Sequence, residues 1–395
     1  MTKFLFSLTL ILLFTSQTGF AQSQRNMVKR ATKKIAGIEV GSKGVKLSIL
    51  EKSVMGDGDF VLLKDSSINT DFISFTSSSF DATLNAFLGL YNYVQNDWRI
   101  LPGDIATLVS SGVKAQADKL GKNEHLQTLI NSFKIKINDD NKEVEVISVL
   151  KESMLSHYGI VPDSERYNVF LIDIGSGNSK GGYFNRETNN FTMFEIPNGT
   201  KSVANLTEKS CGINCSFQDF KTKVSPVVDS IERSELVYAV NASGAFPAST
   251  TMSISGGIAW AVASLLYPEN KAQQVTVTYK DIVRFRTALI SHYADIPDTN
   301  KLVIKGTPAA ELSQMRKVVS RVVNVFDTKS LLAGSTLLMR IMRQFESPEG
   351  NKKFELIKNG QTGWITGYIL NKNEPGNAEP PASTPVVNTQ NKTGY

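Results

Sequence analysis

Lys34-Ile-Ala-Gly-Ile-Glu-Val-Gly-Ser-Lys-Gly-Val-Lys-Leu-Ser-Ile-Leu50 returns, on the same plan, as Val169-Phe-Leu-Ile-Asp-Ile-Gly-Ser-Gly-Asn-Ser-Lys-Gly-Gly-Tyr-Phe184. Each copy is an apolar strand ending in an acid, Glu39 or Asp173. One β-branched residue and Gly-Ser follow, then a short glycine-containing turn and a second strand. Glycine permits a tight turn whose bare backbone N–H groups point inward at a phosphate, and the small serine adds a hydroxyl donor without blocking access. Gly41, Ser42, Lys43 and Gly44 are therefore candidate phosphate-binding residues, with Gly175, Ser176, Gly177 and Asn178 as their counterparts. Residues two apart on a strand share a face, so Glu39 and Asp173 can point to the side of their own loops and hold a divalent cation through water. A single loop of this kind is more often an ordinary hairpin than a phosphate site. Two of them, each at the start of a large α/β segment and about 130 residues apart, indicate two similar lobes whose loops face each other across a cleft.

Outward from the repeat, apolar strand-like segments alternate with helical ones to about residue 345, which makes the chain an α/β protein. Residues 250–266, a strand, Gly256-Gly257 and an apolar helix, form a third element. Its glycines would let an anion approach a helix N-terminus, and close strand-to-helix packing calls for the same residues. Helical periodicity is clearest from Ala82 to Trp98 with Asp81 as cap, from Tyr279 to Tyr293, and from Glu311 to Phe345. The last breaks around Asp327 and reads as a buried pair of helices.

At the amino terminus Lys3, the apolar run Phe4 to Phe14 and Gly19-Phe20-Ala21 read as an export signal over residues 1–21. That makes the mature chain exported, periplasmic or secreted, and soluble, since no apolar run reaches the roughly 20 residues of a membrane span. A basic linker, Arg25 to Lys34, follows. From Asn371 the chain is rich in Pro, Asn, Thr and Lys and reads as a disordered tail over 371–395. The expected organisation is a first lobe over 22–165 and a second over 166–370. The net charge of +6 is scattered rather than blocked, which argues against nucleic acid as a partner. In an exported chain, Cys211-Gly-Ile-Asn-Cys215 is expected to close a local disulfide. His125, His157 and His292 lie singly and read as surface or packing residues. Oligomeric state has no signature.

These residues resemble the exopolyphosphatase and guanosine pentaphosphate phosphatase (Ppx/GppA) family of the actin-like ATPase superfamily, collinearly over about residues 34–370. The family's first loop, Asp-x-Gly-Ser-Asn-Ser, is matched by Glu39-Val-Gly-Ser-Lys-Gly44. Its second, Asp-Ile-Gly-Gly-Gly-Ser-Thr-Glu, is matched by Asp173-Ile-Gly-Ser-Gly-Asn-Ser-Lys180. Thr-Ser-Ala-x-Arg is echoed by Ser110-Ser-Gly-Val-Lys114, and Ile-Ser-Gly-x-Glu-Glu-Ala by Ile147-Ser-Val-Leu-Lys-Glu-Ser153. Pro-x-Gly corresponds to Pro197-Asn-Gly199, Gly-Gly-Thr to Gly256-Gly-Ile258 and Leu-Pro-Ala-Gly to Leu331-Leu-Ala-Gly334. The resemblance implies a two-lobed actin-like (ribonuclease H-like) fold with a central cleft, and hydrolysis of a phosphoanhydride with a magnesium or manganese ion. It implies Glu39 and Asp173 as metal-linked carboxylates, Glu152 as candidate base beside Asp173, and polyphosphate or a related polyanion as substrate.

The chain departs from that pattern where the chemistry sits. Lys180 replaces the last acid of the second loop, Lys151 replaces an acid before Glu152, and Lys43 and Gly44 replace the asparagine and serine of the first loop. Lysines in place of acids subtract metal and base chemistry and add phosphate affinity, which makes Lys180 a candidate phosphate-binding residue. An extracellular apyrase is a competing reading, because its Asp-x-Gly-Ser-Ser-Gly-Thr-Arg loop is similar to Glu39 to Lys46. A non-catalytic phosphate-chain or nucleotide binder of the envelope is another.

Overall fold

The computed structural model describes residues 31–53, 60–244, 249–291, 307–346, 352–358 and 363–371. The signal segment, His292, Tyr293 and the tail beyond Asn371 lie outside the described residues.

The first half builds a five-stranded sheet from β1 (Thr32–Val40), β2 (Gly44–Ser53), β3 (Phe60–Asn69), β4 (Ile105–Val109) and β5 (Glu145–Val146). Its order is β3-β2-β1-β4-β5, with β1 to β3 antiparallel and β4 and β5 parallel to β1. Four helices accompany it: α1 (Ser77–Asn96), α2 (Ser111–Lys119), α3 (Asn123–Ile137) and α4 (Val149–Ile160). Ile38 and Val40 of β1 pack with Phe87 and Val94 of α1 and Phe133 of α3. The Phe87 and Phe133 rings stack with centroids 3.8 Å apart. Lys33 and Lys34 belong to β1, so the basic linker ends before the strand begins. The cap of α1 is Thr76, five residues before the Asp81 cap expected from periodicity. Thr76 accepts from the Ser79 amide at 3.1 Å, and Ser79 returns the bond, so a Thr-Ser capping box outcompetes the acid.

The second half repeats the plan. It contains β6 (Val169–Ile174), β7 (Ser179–Phe184), β8 (Phe191–Ile196), α5 (Thr200–Cys211), α6 (Phe217–Ile231), α7 (Val237–Ser243), β9 (Thr251–Ser255) and α8 (Gly257–Leu266). These are followed by β10 (Gln274–Val277), α9 (Tyr279–Ser291), α10 (Ala309–Val325), α11 (Thr328–Phe345), β11 (Lys353–Ile357) and α12 (Gly363–Asn371). The sheet runs β10-β11-β9-β6-β7-β8. Starting from the loop-bearing strand, both sheets carry two successive antiparallel pairings on one side and two parallel strands on the other, and the second sheet adds β10, antiparallel to β11, at its edge. Asp327 caps α11 by accepting from the Ser330 amide at 2.7 Å, which places the expected helix break where periodicity set it. Of the pair, α11 is buried almost throughout. By contrast, α10 buries only Met315, Val319 and Val322, so it is a one-sided surface helix.

After β11 the chain returns to the first sheet. Trp364, Ile365, Tyr368 and Ile369 of α12 pack with Leu50, Leu108 and Leu155. The α4 and α12 backbones touch through Gly159, Gly363 and Gly367, where any side chain would meet main-chain atoms or Ile160. Among the described residues no helix is long and apolar enough to cross a membrane.

Candidate functional site

The two hairpins form the same turn. The Gly41 amide donates to the Gly44 carbonyl at 2.9 Å, and the Gly175 amide donates to the Asn178 carbonyl at 3.0 Å. Because β1 and β2 twist together from this turn, Glu39 stands directly across the ladder from Lys46; by the same register Asp173 faces Lys180. The first loop is clamped from outside where the Thr70 and Asp71 amides donate to the Lys43 carbonyl. The second is seated on α5: the Thr200, Lys201 and Ser202 amides donate to the Gly175 and Ser176 carbonyls at 2.8 to 3.1 Å. Gly199 makes that seat possible, since a β-carbon there would lie 2.5 Å from the Gly175 carbonyl oxygen. Ser42 lies against Gly112 at the start of α2. Asn178 donates to Glu195 Oε1 at 3.1 Å, and Gly177 is exposed at the loop tip.

Between the loops the halves meet in a cluster of charges. Lys180 of β7 donates to Glu152 Oε1 at 2.6 Å and to Ser111 Oγ at 3.2 Å, while the Ser111 amide donates to Glu152 Oε2 at 2.8 Å. Glu152 (3 % exposed) and Lys180 (5 %) are removed from water, as is Glu39. Lys46 Nζ stands 3.4 Å from Glu39 Oε2. Burial pushes Glu39 and Asp173 above the ordinary carboxylate range, opposed by Lys46 and Lys180 respectively. Burial acts on Glu152 in the same sense, but Lys180 and the Ser111 donors outweigh it and hold the carboxylate below its usual range. Both lysines are raised, since burial is outweighed by the carboxylates, Glu39 for Lys46 and Glu152 for Lys180. At the rim, desolvation and the Lys201 charge depress the exposed Lys43, against the opposing pull of Asp327 and Asp71.

The third element closes against the same cluster. Gly256 has φ +94°, and a β-carbon there would fall 2.6 Å from Asp173 Oδ1 and onto the Ile174 carbonyl. Gly257 instead faces the Phe326 ring at 3.0 Å. Close packing thus accounts for both glycines, and Gly256 alone borders the charges. Cys211 and Cys215 form a disulfide with Cα atoms 5.2 Å apart. It sits at the far end of α5, roughly 18 Å along the axis from the second loop.

No family model and no curated protein matches the chain by sequence. Among solved structures, a Ppx/GppA family member from Aquifex aeolicus aligns over 87% of this chain and all of its own, with TM-score 0.59 and 16% identity. An exopolyphosphatase from Cytophaga hutchinsonii aligns over 87% of this chain and 99% of its own, also with TM-score 0.59 and 16% identity. An exopolyphosphatase-like protein aligns over 86% and 98%, with TM-score 0.58 and 12% identity. This chain has the Ppx/GppA fold. It is the two-lobed, actin-like α/β architecture that the paired loops imply.

On the Ppx/GppA fold the loops, the Gly256 turn and the candidate base come to one place, as their order along the chain suggests. The expected metal finds a poor donor set there. Glu39 and Asp173 each face an ammonium group, both oxygens of Glu152 carry short hydrogen bonds, and among the described residues no group of three or more His, Cys, Asp or Glu is placed to hold a cation. A small divalent ion is held by one or two carboxylates together with water and substrate phosphate; here Glu152 has no oxygen to give, and Lys46 and Lys180 stand opposite Glu39 and Asp173, although Glu39 Oε2 has no hydrogen-bond partner. Reading by motif also passed over Lys46 and Ser111. Lys46 carries a sequence signal, because it lies seven residues after Glu39, as Lys180 lies seven after Asp173. Ser111 acts through its amide as well as its hydroxyl, and its signal is its place in Ser110-Ser-Gly-Val-Lys114, to which no site role was given.

Proposed function

We propose that this chain captures the end of a phosphoanhydride chain, polyphosphate or a polyphosphorylated nucleotide, between its two hairpin loops, and that binding rather than turnover is its principal role. The observation that carries this reading is the state of Glu152. Its two oxygens are occupied by Lys180 and Ser111, and its affinity for a proton is lowered. A general base needs a free lone pair toward water and a pKa near the working pH, whereas an ion-paired glutamate supplies neither. The loop amides, Ser42, Ser176 and the rim lysines Lys43 and Lys201 supply what an anion needs.

A second reading, slow phosphoanhydride hydrolysis of the exopolyphosphatase kind, is favoured by Asp173. Its carboxyl is raised by burial, which suits a base. Under either reading the amino-terminal segment is proposed to export the protein, so that its anion is met outside the cytoplasm.

One screen separates the two readings. The full chain is assayed for binding and for phosphate release with polyphosphate, nucleoside di- and triphosphates and guanosine tetraphosphate, with and without magnesium or manganese. Binding without release is expected. Sustained release that Asp173→Ala abolishes would establish the hydrolase instead, and neither binding nor release on any compound would remove both readings.

A further inference from the structure

The charge cluster contains one device twice. On each hairpin an acid of the incoming strand faces a lysine of the outgoing strand across the ladder, Glu39 with Lys46 and Asp173 with Lys180. The two pairs are close enough to act on each other: Lys46 is influenced by Asp173 and Glu152, and Lys180 by Glu39. Three carboxylates are thus met by two ammonium groups in one cluster, with Glu39, Glu152 and Lys180 buried and Asp173 and Lys46 half-buried.

The two lysines are not equivalent. Of its three N–H donors, Lys180 commits one to Glu152 and one to Ser111. Its Cα partner across the ladder is Asp173, so its charge is used within the protein. Lys46 makes a looser contact of 3.4 Å with Glu39, and its side chain is 32 % exposed. It therefore has donors left for an incoming oxygen, just behind the Gly41 to Gly44 turn. Lysine is a point charge well suited to phosphate oxygens.

Resting on the phosphate-chain reading, we propose that Lys46 and Lys180 stand where a divalent cation would act, so that the site takes inorganic polyphosphate free of metal. Lys180 neutralises Glu152 and Asp173, and Lys46 meets the terminal phosphate. A magnesium-chelated phosphate would bring a dication against two fixed ammonium groups, and Glu152, with both oxygens engaged, could not receive it. A bare phosphate chain brings only oxygens, which the loop amides and Lys46 can bind.

Calorimetric titration of the full chain with sodium tripolyphosphate, once in EDTA and once in excess magnesium, tests this directly. Binding in EDTA at least as tight as in magnesium is expected. Lys46→Gln should weaken the EDTA binding about tenfold or more, titrated below the variant's thermal transition, which loss of the charge facing Glu39 should lower. Binding that appears only with magnesium overturns the inference and leaves the phosphate-chain reading standing, as does wild-type affinity in Lys46→Gln. No binding in either buffer overturns both. The comparison of buffers needs no variant, so it stands even if Lys46→Gln fails to fold.

Discussion

At the scale of single residues, the site turns on what surrounds Glu152. A carboxylate buried to 3 % exposure is tolerable because a lysine 2.6 Å away and a backbone amide 2.8 Å away compensate its lost hydration. Removing its charge leaves Lys180 buried with a weakened set of partners. Glu152→Gln should therefore destabilise the fold by about 3 kcal/mol or more, read from urea denaturation, while anion binding by the folded fraction persists. Unchanged stability with a roughly 100-fold loss of phosphate release would return Glu152 to the role of base. The acid positions Glu39, Glu152 and Asp173 were all legible in the sequence. What the motifs did not convey was the state of those acids, because ion pairing across a ladder depends on register. The alignment of Lys46 with Lys180 in the two repeats was the available clue, and it carries meaning only once both lysines are set opposite acids.

At the scale of elements, the site is held by contacts between the two halves. One is the hydrogen bond of 3.0 Å between His157 Nε2 on α4 and the Val169 carbonyl at the start of β6. His157 is fully buried, and burial lowers its pKa to about 4, from 6.5 when unfolded. The unfolded chain thus takes up a proton as pH falls through 6.5, while the folded chain resists until about 4. Stability contributed by neutral His157 is complete above pH 6.5 and declines as pH falls toward 4, by roughly 3 kcal/mol in all. Urea midpoints measured across that window should fall with acidification, and His157→Leu should flatten this part of the profile. A wild-type profile level from pH 6.5 to 4 would mean that the imidazole is not held neutral. Periodicity found α11 and its break because Asp327 is a side-chain cap beside a strongly apolar helix. It misplaced the start of α1 because a reciprocal Thr76–Ser79 box lies upstream of the apolar stripe. The seating of the second loop on α5 was not legible either, since it is made by backbone amides and by the small size of Gly199.

At the scale of the whole molecule, the repeat in sequence is a repeat in topology. Two sheets share one strand order around β1 and β6, and each carries its Gly-Ser turn at the end of that strand. The duplication was legible because glycine, serine and an acid recur at fixed spacing in both copies. The return of α12 to the first sheet was not, because its contacts with α4 depend on Gly159, Gly363 and Gly367, whose pairing spans about half of the chain. We propose a lobe boundary near residue 165, with α12 joining the first lobe. The central claim is that both loops serve one anion. A crystal structure of the full chain grown with tripolyphosphate tests it most directly. The account predicts one phosphate chain between Gly41–Gly44 and Gly175–Asn178, with an oxygen on Lys46 Nζ. A chain bound elsewhere, or touching only one of the two loops, would contradict it.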